Sequence, residues 1–129
     1  MTILRTIVAV TLPALVAGPL AAQSGPPPAD QADRGQAVFQ RVCAACHATV
    51  QFASPGFRSG WNGRTVFELY EQIRTTMPQD NPGRLRREQY ADVTAYLLKL
   101  NGQPPAELST DSTVLSSIQI QLATDSRSP

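Results

Sequence analysis

The sequence is constrained most by the pentapeptide Cys43-Ala44-Ala45-Cys46-His47, because it contains both cysteines and the only histidine of the chain. Two thiols at this spacing can bond to the two vinyl groups of one haem, and the adjacent imidazole can bind its iron. A structural zinc site needs four ligands, a thioredoxin-like pair needs a βαβ context, and a disulfide this short stabilises little. The pentapeptide therefore predicts one covalent haem c, attached to Cys43 and Cys46 and ligated by His47.

The second axial ligand of that iron follows from counting. A second imidazole from the same chain is excluded, because His47 is the only histidine. The chain has two methionines, and Met1 would leave with the N-terminal segment described below. A methionine is by position more often core packing, but Met77 precedes Pro78 and lies off the apolar stripe of its predicted helix. We predict Met77 as the sixth ligand, since a histidine–methionine pair raises the reduction potential and is usual in electron carriers.

Residues 1–22 have the pattern of a secretory signal peptide, with a basic residue near the start, an apolar run and small residues at the end. An uncleaved anchor is the alternative, but the run is near the lower limit for spanning a bilayer and contains Pro13 and Pro19. We predict cleavage near Ala22 and a periplasmic location. The mature chain would hold ten basic and ten acidic residues, which gives no strongly basic face for nucleic acid.

The rest of the chain predicts a Pro-rich linker, one all-α domain and a C-terminal tail. Three prolines in succession make the linker stiff. Within the domain, apolar residues at helical spacing predict three helices, and the segment between the first two is rich in loop-forming residues. The predicted ranges are 23–29 for the linker, 30–102 for the domain, 31–43, 66–76 and 87–100 for its helices, 48–64 for the loop, and 103–129 for the tail.

Local signals support these boundaries. Asp30 is a candidate N-cap for the first helix, and Thr65 with Glu68 forms a capping box before the second. Met77 ends the second helix, because the residue before a proline is driven out of helical geometry. In the tail, residues 111–117 fit one short helix, and the following residues alternate in an extended manner.

Together these residues resemble the class I cytochrome c family. The resemblance implies the cytochrome c fold, with three main helices around one haem, and an electron carrier rather than an enzyme. Gly35 and Phe39 are similar to the small and aromatic residues through which that family's first helix crosses its last, here expected at residues 95–97.

The same resemblance implies two further cofactor-binding residues. In the family, a proline soon after the attachment motif lends its carbonyl to the proximal histidine ring, and Pro55 is the candidate here. A nearby tryptophan often reaches a haem propionate through its indole N–H, which implies this role for Trp61. Plain burial of Trp61 is the alternative.

The segment 75–83 and the residues after it are similar to cytochrome c subunits that accompany quinoprotein dehydrogenases, which contain pyrroloquinoline quinone. This resemblance implies redox protein partners: a dehydrogenase as electron donor, and an oxidase or another cytochrome as acceptor. No membrane span and no nucleic acid are expected for the mature chain. Two alternatives stay open, namely a non-catalytic subunit whose linker and tail wrap a dehydrogenase, and a haem enzyme or gas-binding protein with labile Met77.

Three arginines stand at the start of the last predicted helix, where the family tends to place a Ser or Thr cap. Arg84, Arg86 and Arg87 oppose the helix macrodipole at this end. They form either a solvent-exposed face whose positive charge is partly offset by Glu88, or a positively charged patch that steers an acidic partner.

Overall fold

The computed structural model describes residues 30–103 and 107–122, which are helical apart from turns and one isolated β-bridge. The helices are α1 (Gln31–Val38), α2 (Thr49–Phe52), α3 (Pro55–Trp61), α4 (Val66–Thr76), α5 (Arg87–Leu100) and α6 (Ser112–Ser116). A π-helical turn, Phe39–Cys43, continues α1. The all-α prediction is confirmed, whereas the predicted signal peptide (1–22) and linker (23–29) lie outside the described residues.

The three long helices begin and end where the local signals predict. The Asp30 carboxylate accepts a hydrogen bond from the Asp33 backbone N–H at 2.8 Å and caps α1. Thr65 and Glu68 form the complete capping box of α4. At the other end of α4, Met77 has extended backbone angles, as expected for a residue that precedes proline.

Helix α5 lies at the centre of the domain, with residues 90–98 all buried. It is crossed by α1 at Gly35, where an added Cβ would collide with the Asp92 carbonyl and lie 2.9 Å from Cβ of Tyr96. One turn further on, the rings of Phe39 and Tyr96 are 5.5 Å apart. The predicted crossing through Gly35 and Phe39 is therefore confirmed, and α5 receives it through Asp92 and Tyr96.

The segment 48–64 contains two short helices, so its prediction as a loop is wrong. The Ser54 hydroxyl accepts a hydrogen bond from the Phe57 N–H at 3.1 Å, and Pro55 occupies the first position of α3. These are strong helix-start signals. Gly56 and Gly60 obscure them in the sequence, because glycine is a poor helix former.

The described part of the C-terminal tail packs on its own domain. Leu108, Leu115, Ile120 and Leu122 are buried in the same cluster as α4 and α5. The backbone of Ile120 exchanges 2.8 Å hydrogen bonds with Gly63 and Arg64. Residues 107–122 therefore pack on this domain, whereas the subunit alternative has the tail wrap a larger chain.

Candidate functional site

All the predicted site residues except Pro55 line one cavity of about 1000 Å³ between the C-terminal end of α1 and the C-terminal end of α4. Its lining includes Cys43, Cys46, His47, Trp61 and Met77. Much of the remaining lining is apolar and comes from four helices and the π turn: Phe39, Val42, Phe52, Phe57, Leu69, Ile73, Val93 and Leu97. A volume of this size lies at the upper end of the range for ligand and cofactor sites, roughly 300–1,000 Å³.

The cysteine and histidine side of the cavity is built by local backbone hydrogen bonds. The Ala44 N–H donates to the Phe39 carbonyl at 2.9 Å, which is the long spacing of a π turn. The next turn is closed on the Cys43 carbonyl, which accepts from the N–H groups of Cys46 at 3.1 Å and His47 at 2.9 Å. This tight turn brings all three predicted haem-binding side chains to the cavity.

The two cysteines are unpaired and differ in exposure. Cys43 is half-buried and Cys46 is exposed. Burial raises the pKa of the Cys43 thiol above its ordinary value. Both sulfur atoms are therefore available for thioether bonds, and neither belongs to a disulfide.

Aromatic rings in edge or tilted contact extend from the His47 side of the cavity to Trp61. The Phe52 ring lies 5.4 Å from the His47 ring and 5.7 Å from the Phe57 ring, both edge-on. Phe57 and Trp61 are 6.3 Å apart, and the guanidinium of Arg64 lies 4.3 Å from the centre of the Trp61 ring. Trp61 thus lines the cavity with a cation against its ring.

Met77 is positioned by a tertiary hydrogen bond. Its backbone carbonyl accepts from the Tyr90 hydroxyl at 2.8 Å, and the same hydroxyl accepts from the Leu85 N–H at 3.4 Å. Tyr90 belongs to the buried face of α5 and is only 1% exposed. The Met77–Pro78 peptide bond is cis. Helix α5 therefore holds both ends of the segment from Met77 to Leu85.

The structure places Gln51, rather than Pro55, beside the His47 ring. Oε1 of Gln51 lies 3.3 Å from Nδ1 of His47, within reach of a hydrogen bond. Pro55 is the exposed first residue of α3 and is not among the residues lining the cavity. No hydrogen bond joins Pro55 and His47 among the described residues, so the role implied for Pro55 stays a prediction.

The polar rim of the cavity carries two arginines. Arg41 is exposed at the π turn, and Arg84 follows the methionine segment, with Nη1 3.8 Å from a carboxylate oxygen of Asp80. The arginine run of the sequence is therefore divided in space. Arg84 lines this cavity, Arg86 is the exposed N-cap residue of α5, and Arg87 lines a different pocket.

Comparison with known families agrees with this arrangement of a Cys-x-x-Cys-His turn at an apolar cavity. The family described as cytochrome c oxidase, cbb3-type, subunit III matches residues 30–97, which is more than half of the chain. The chain belongs to this cytochrome c family. No curated protein and no solved structure matches it.

Membership of the family implies a covalently bound haem c and supports a monohaem c-type cytochrome that transfers electrons with redox protein partners. It also favours an electron carrier over an enzyme. Within the two described stretches of chain, no helix has both the length and the apolar character needed to cross a bilayer.

Four residues that shape the site were not identified from the sequence. Gln51, Phe52 and Phe57 lie in the segment predicted as a loop, and Tyr90 lies within the predicted helix 87–100, with no sign in the sequence of a role at the site. The i, i+4 spacing of Phe57 and Trp61 after a Ser-Pro start would have indicated α3. No local signal indicates that the Tyr90 hydroxyl bonds to the Met77 carbonyl, because this contact depends on how α4 and α5 pack.

Proposed function

We propose that this protein is an exported monohaem electron carrier whose haem is bonded to Cys43 and Cys46 and ligated by His47 and Met77. The observation that carries the proposal is an apolar cavity that has the three residues of the attachment turn and Met77 in its lining. Haem held there supplies a one-electron iron couple. Its ligands and the apolar lining set the reduction potential.

The chain's own residues explain why transfer of electrons is favoured over binding of a substrate. The haem iron would be held by both His47 and Met77, which would leave no position on it open to a substrate. The rings of Phe39, Phe52 and Phe57 form an apolar part of the cavity lining. Trp61 lines the cavity with the Arg64 guanidinium against its ring, and we propose Trp61 as a partner of a haem propionate.

Replacement of Met77 by Ala tests the proposed ligation. We expect the near-infrared methionine-to-iron charge-transfer band of the oxidised protein to disappear and carbon monoxide to bind the reduced protein. The reduction potential should fall by on the order of 0.1 V, a fraction of the roughly 0.8 V that axial ligands span. A wild-type protein that lacks the band and binds carbon monoxide readily would instead support the haem enzyme or gas-binding alternative.

Partner proteins are proposed to dock at the rim that carries Arg41 and Arg84. These cations would steer an acidic partner, so the rate of electron transfer should fall as ionic strength rises. Substitution of both by Gln should reduce the rate and the salt dependence. Arg86→Gln is the matched control, because Arg86 is exposed but does not line the cavity. An unchanged rate and salt slope in the double variant would exclude docking through these two cations.

We propose a periplasmic quinoprotein dehydrogenase as the electron donor, on the resemblance of residues 75–83 to cytochromes that accompany such enzymes. Co-purification from the native periplasm, followed by a test of which dehydrogenase and substrate reduce the haem, examines this assignment. The family description names an oxidase subunit, which favours a second candidate, a subunit that stays bound in a redox complex. Size-exclusion chromatography of the native material separates the two, because a free carrier elutes as a small protein.

A further inference from the structure

The terminal segment, residues 118–122, is hydrogen-bonded along its inner edge to the turn between α3 and α4. The fully buried Ile120 accepts a backbone hydrogen bond from the Gly63 N–H and donates one to the Arg64 carbonyl, both at 2.8 Å. This turn begins directly after Trp61, which is the last residue of α3 and lines the haem cavity. The terminal segment is therefore fixed to the stretch of chain that carries one wall of the cavity.

Gln103 holds the outer edge of the same segment. Its side-chain amide donates from Nε2 to the Gln119 carbonyl at 3.1 Å, and its Oε1 accepts from the Gln121 N–H at 2.8 Å. One planar amide thus takes the place of a neighbouring strand, since it supplies a donor and an acceptor to alternate residues of the segment. Gln103 itself follows α5 closely, with its backbone N–H 3.1 Å from the Leu98 carbonyl. The terminal segment is therefore held between the end of the central helix and the turn after Trp61.

Two further contacts join the terminal segment to the surroundings of Trp61. The Leu122 N–H donates to Oδ1 of Asn62, the residue that follows Trp61, at 2.9 Å. Trp61 is half-buried and packs against the hydrophobic cluster that contains Ile120 and Leu122. Hydrogen bonds therefore fix the backbone after Trp61, and apolar packing restricts its side chain. The orientation of the indole thus depends on a segment that lies far along the chain.

We propose that Gln103 is a positioning residue for Trp61 and acts through the terminal segment. This inference rests on the haem site proposed above, because the orientation of Trp61 matters for electron transfer only when haem occupies the cavity. Gln103 does not line the cavity, so its effect on Trp61 must pass through residues 118–122.

Loss of the Gln103 amide should loosen the segment and the turn together. Without its two hydrogen bonds, the terminal segment keeps its inner edge but loses the support on its outer edge. Segments with fewer hydrogen bonds open locally more often, so the turn after Trp61 should open more often as well. Trp61 would then lose its fixed orientation toward the haem, while the attachment turn and Met77 would be unaffected.

The test uses the mature haem-loaded protein and follows the indole N–H signal of Trp61 in ¹H–¹⁵N spectra, which is unambiguous because the chain has one tryptophan. The unpaired electron of the oxidised iron shifts this signal by an amount that depends on the distance and direction from the iron to the indole. We expect Gln103→Ala to change the difference in shift between the oxidised and reduced states. Amide hydrogen exchange at Gly63 and Ile120 should become about fivefold faster, the factor that corresponds to loss of one typical hydrogen bond.

Gln31→Ala is the matched control, because the Gln31 amide forms the same kind of bond pair with the tail on the α1 side. Its Nε2 donates to the Leu108 carbonyl at 3.0 Å, and its Oε1 accepts from the Leu108 N–H at 2.6 Å. This variant should lower stability but leave the redox-dependent shift of Trp61 as in the wild type. Gln119→Ala is a second control that should behave as the wild type does, since Gln119 is exposed and bonds to Gln103 through its backbone carbonyl.

An unchanged redox-dependent shift of Trp61 in Gln103→Ala would overturn the inference, whether or not exchange at Gly63 becomes faster. An equal change of the shift in Gln31→Ala would overturn it as well, because it would indicate general loosening of the tail. The methionine-to-iron band and the haem stain, recorded on the same samples, test the proposed function separately. Both should be retained in every variant, and their absence from the wild type would contradict the haem site instead.

Discussion

The two sides of the haem cavity are constructed in different ways. On one side, Cys43, Cys46 and His47 are held by short-range backbone hydrogen bonds in the turns that continue α1. On the other side, Met77 depends on Tyr90, which is thirteen residues away and belongs to another helix. The first side is a local turn, whereas the second exists only when α4 and α5 are packed. Substitutions should therefore affect the two sides by different amounts and through different observables.

The largest effect is expected when the two cysteines on the local side of the cavity are replaced. With both Cys43 and Cys46 replaced by Ala, no thioether can form, so we expect essentially all haem to be absent from the chain on a denaturing gel stained for haem. The domain should also lose stability, because a small core with a large apolar cavity depends on its cofactor. Ala44→Ser is the control in the same turn, since Ala44 is exposed and does not line the cavity. Covalent haem in the double variant would contradict the assignment.

A large loss of stability, which affects both sides of the cavity equally, is expected from Gly35→Ala. The new Cβ would collide with the Asp92 carbonyl on the rigid central helix. We expect the free energy of unfolding, measured by denaturant titration, to fall by about 3 kcal/mol. Gly60→Ala is the matched control, because an added Cβ there meets no atom within 4 Å. It should leave stability unchanged or raise it by about 0.5 kcal/mol, since alanine is the better helix former. Equal effects at the two glycines would contradict the helix crossing described here.

The difference between the two sides also explains what the sequence could predict. The Cys-x-x-Cys-His turn, the Thr65 capping box and the end of α4 at Met77 are local features, and the structure places each where its residues indicate. Residues whose environment depends on tertiary packing were harder to interpret. Leu108 is buried against α1, where its backbone exchanges two hydrogen bonds with the Gln31 side chain, yet the sequence indicated only a tail.

The same reasoning applies to the candidate site. Its proposed cysteine, histidine and methionine ligands could be predicted by counting residue types, because each type is rare in this chain. The residues around them could not. Gln51 and Phe52 belong to a helix of only four residues, too short to show a periodic pattern. Their proximity to His47 depends on how that short helix folds back over the turn.

Tyr90→Phe should weaken the methionine side alone. The variant keeps the buried ring but removes the hydroxyl that donates to the Met77 carbonyl. We expect the hydrogen bond's removal to lower the free energy that holds Met77 in place by about 1 kcal/mol. The effect should appear as loss of the methionine-to-iron band at lower temperature, or at lower concentrations of added imidazole, while covalent haem is retained. Tyr96→Phe is the matched control on the same helix, because Tyr96 contacts Phe39 through its ring and faces the local side. If both variants lost the band at the same temperature, Tyr90 would have no specific role in holding Met77.

The smallest effect is expected on the histidine side, from Gln51. An acceptor at Nδ1 makes the imidazole a stronger donor to iron and favours the oxidised state. Gln51→Leu should therefore raise the reduction potential by about 20 mV, which for one electron corresponds to about 0.5 kcal/mol. Gln51→Glu replaces the acceptor with a carboxylate and should lower the potential instead, with Val50→Leu as a neighbouring control that leaves it unchanged. Because opposite signs are expected, potentiometric titration distinguishes a hydrogen bond from a general disturbance of the turn, which would shift both variants in the same direction.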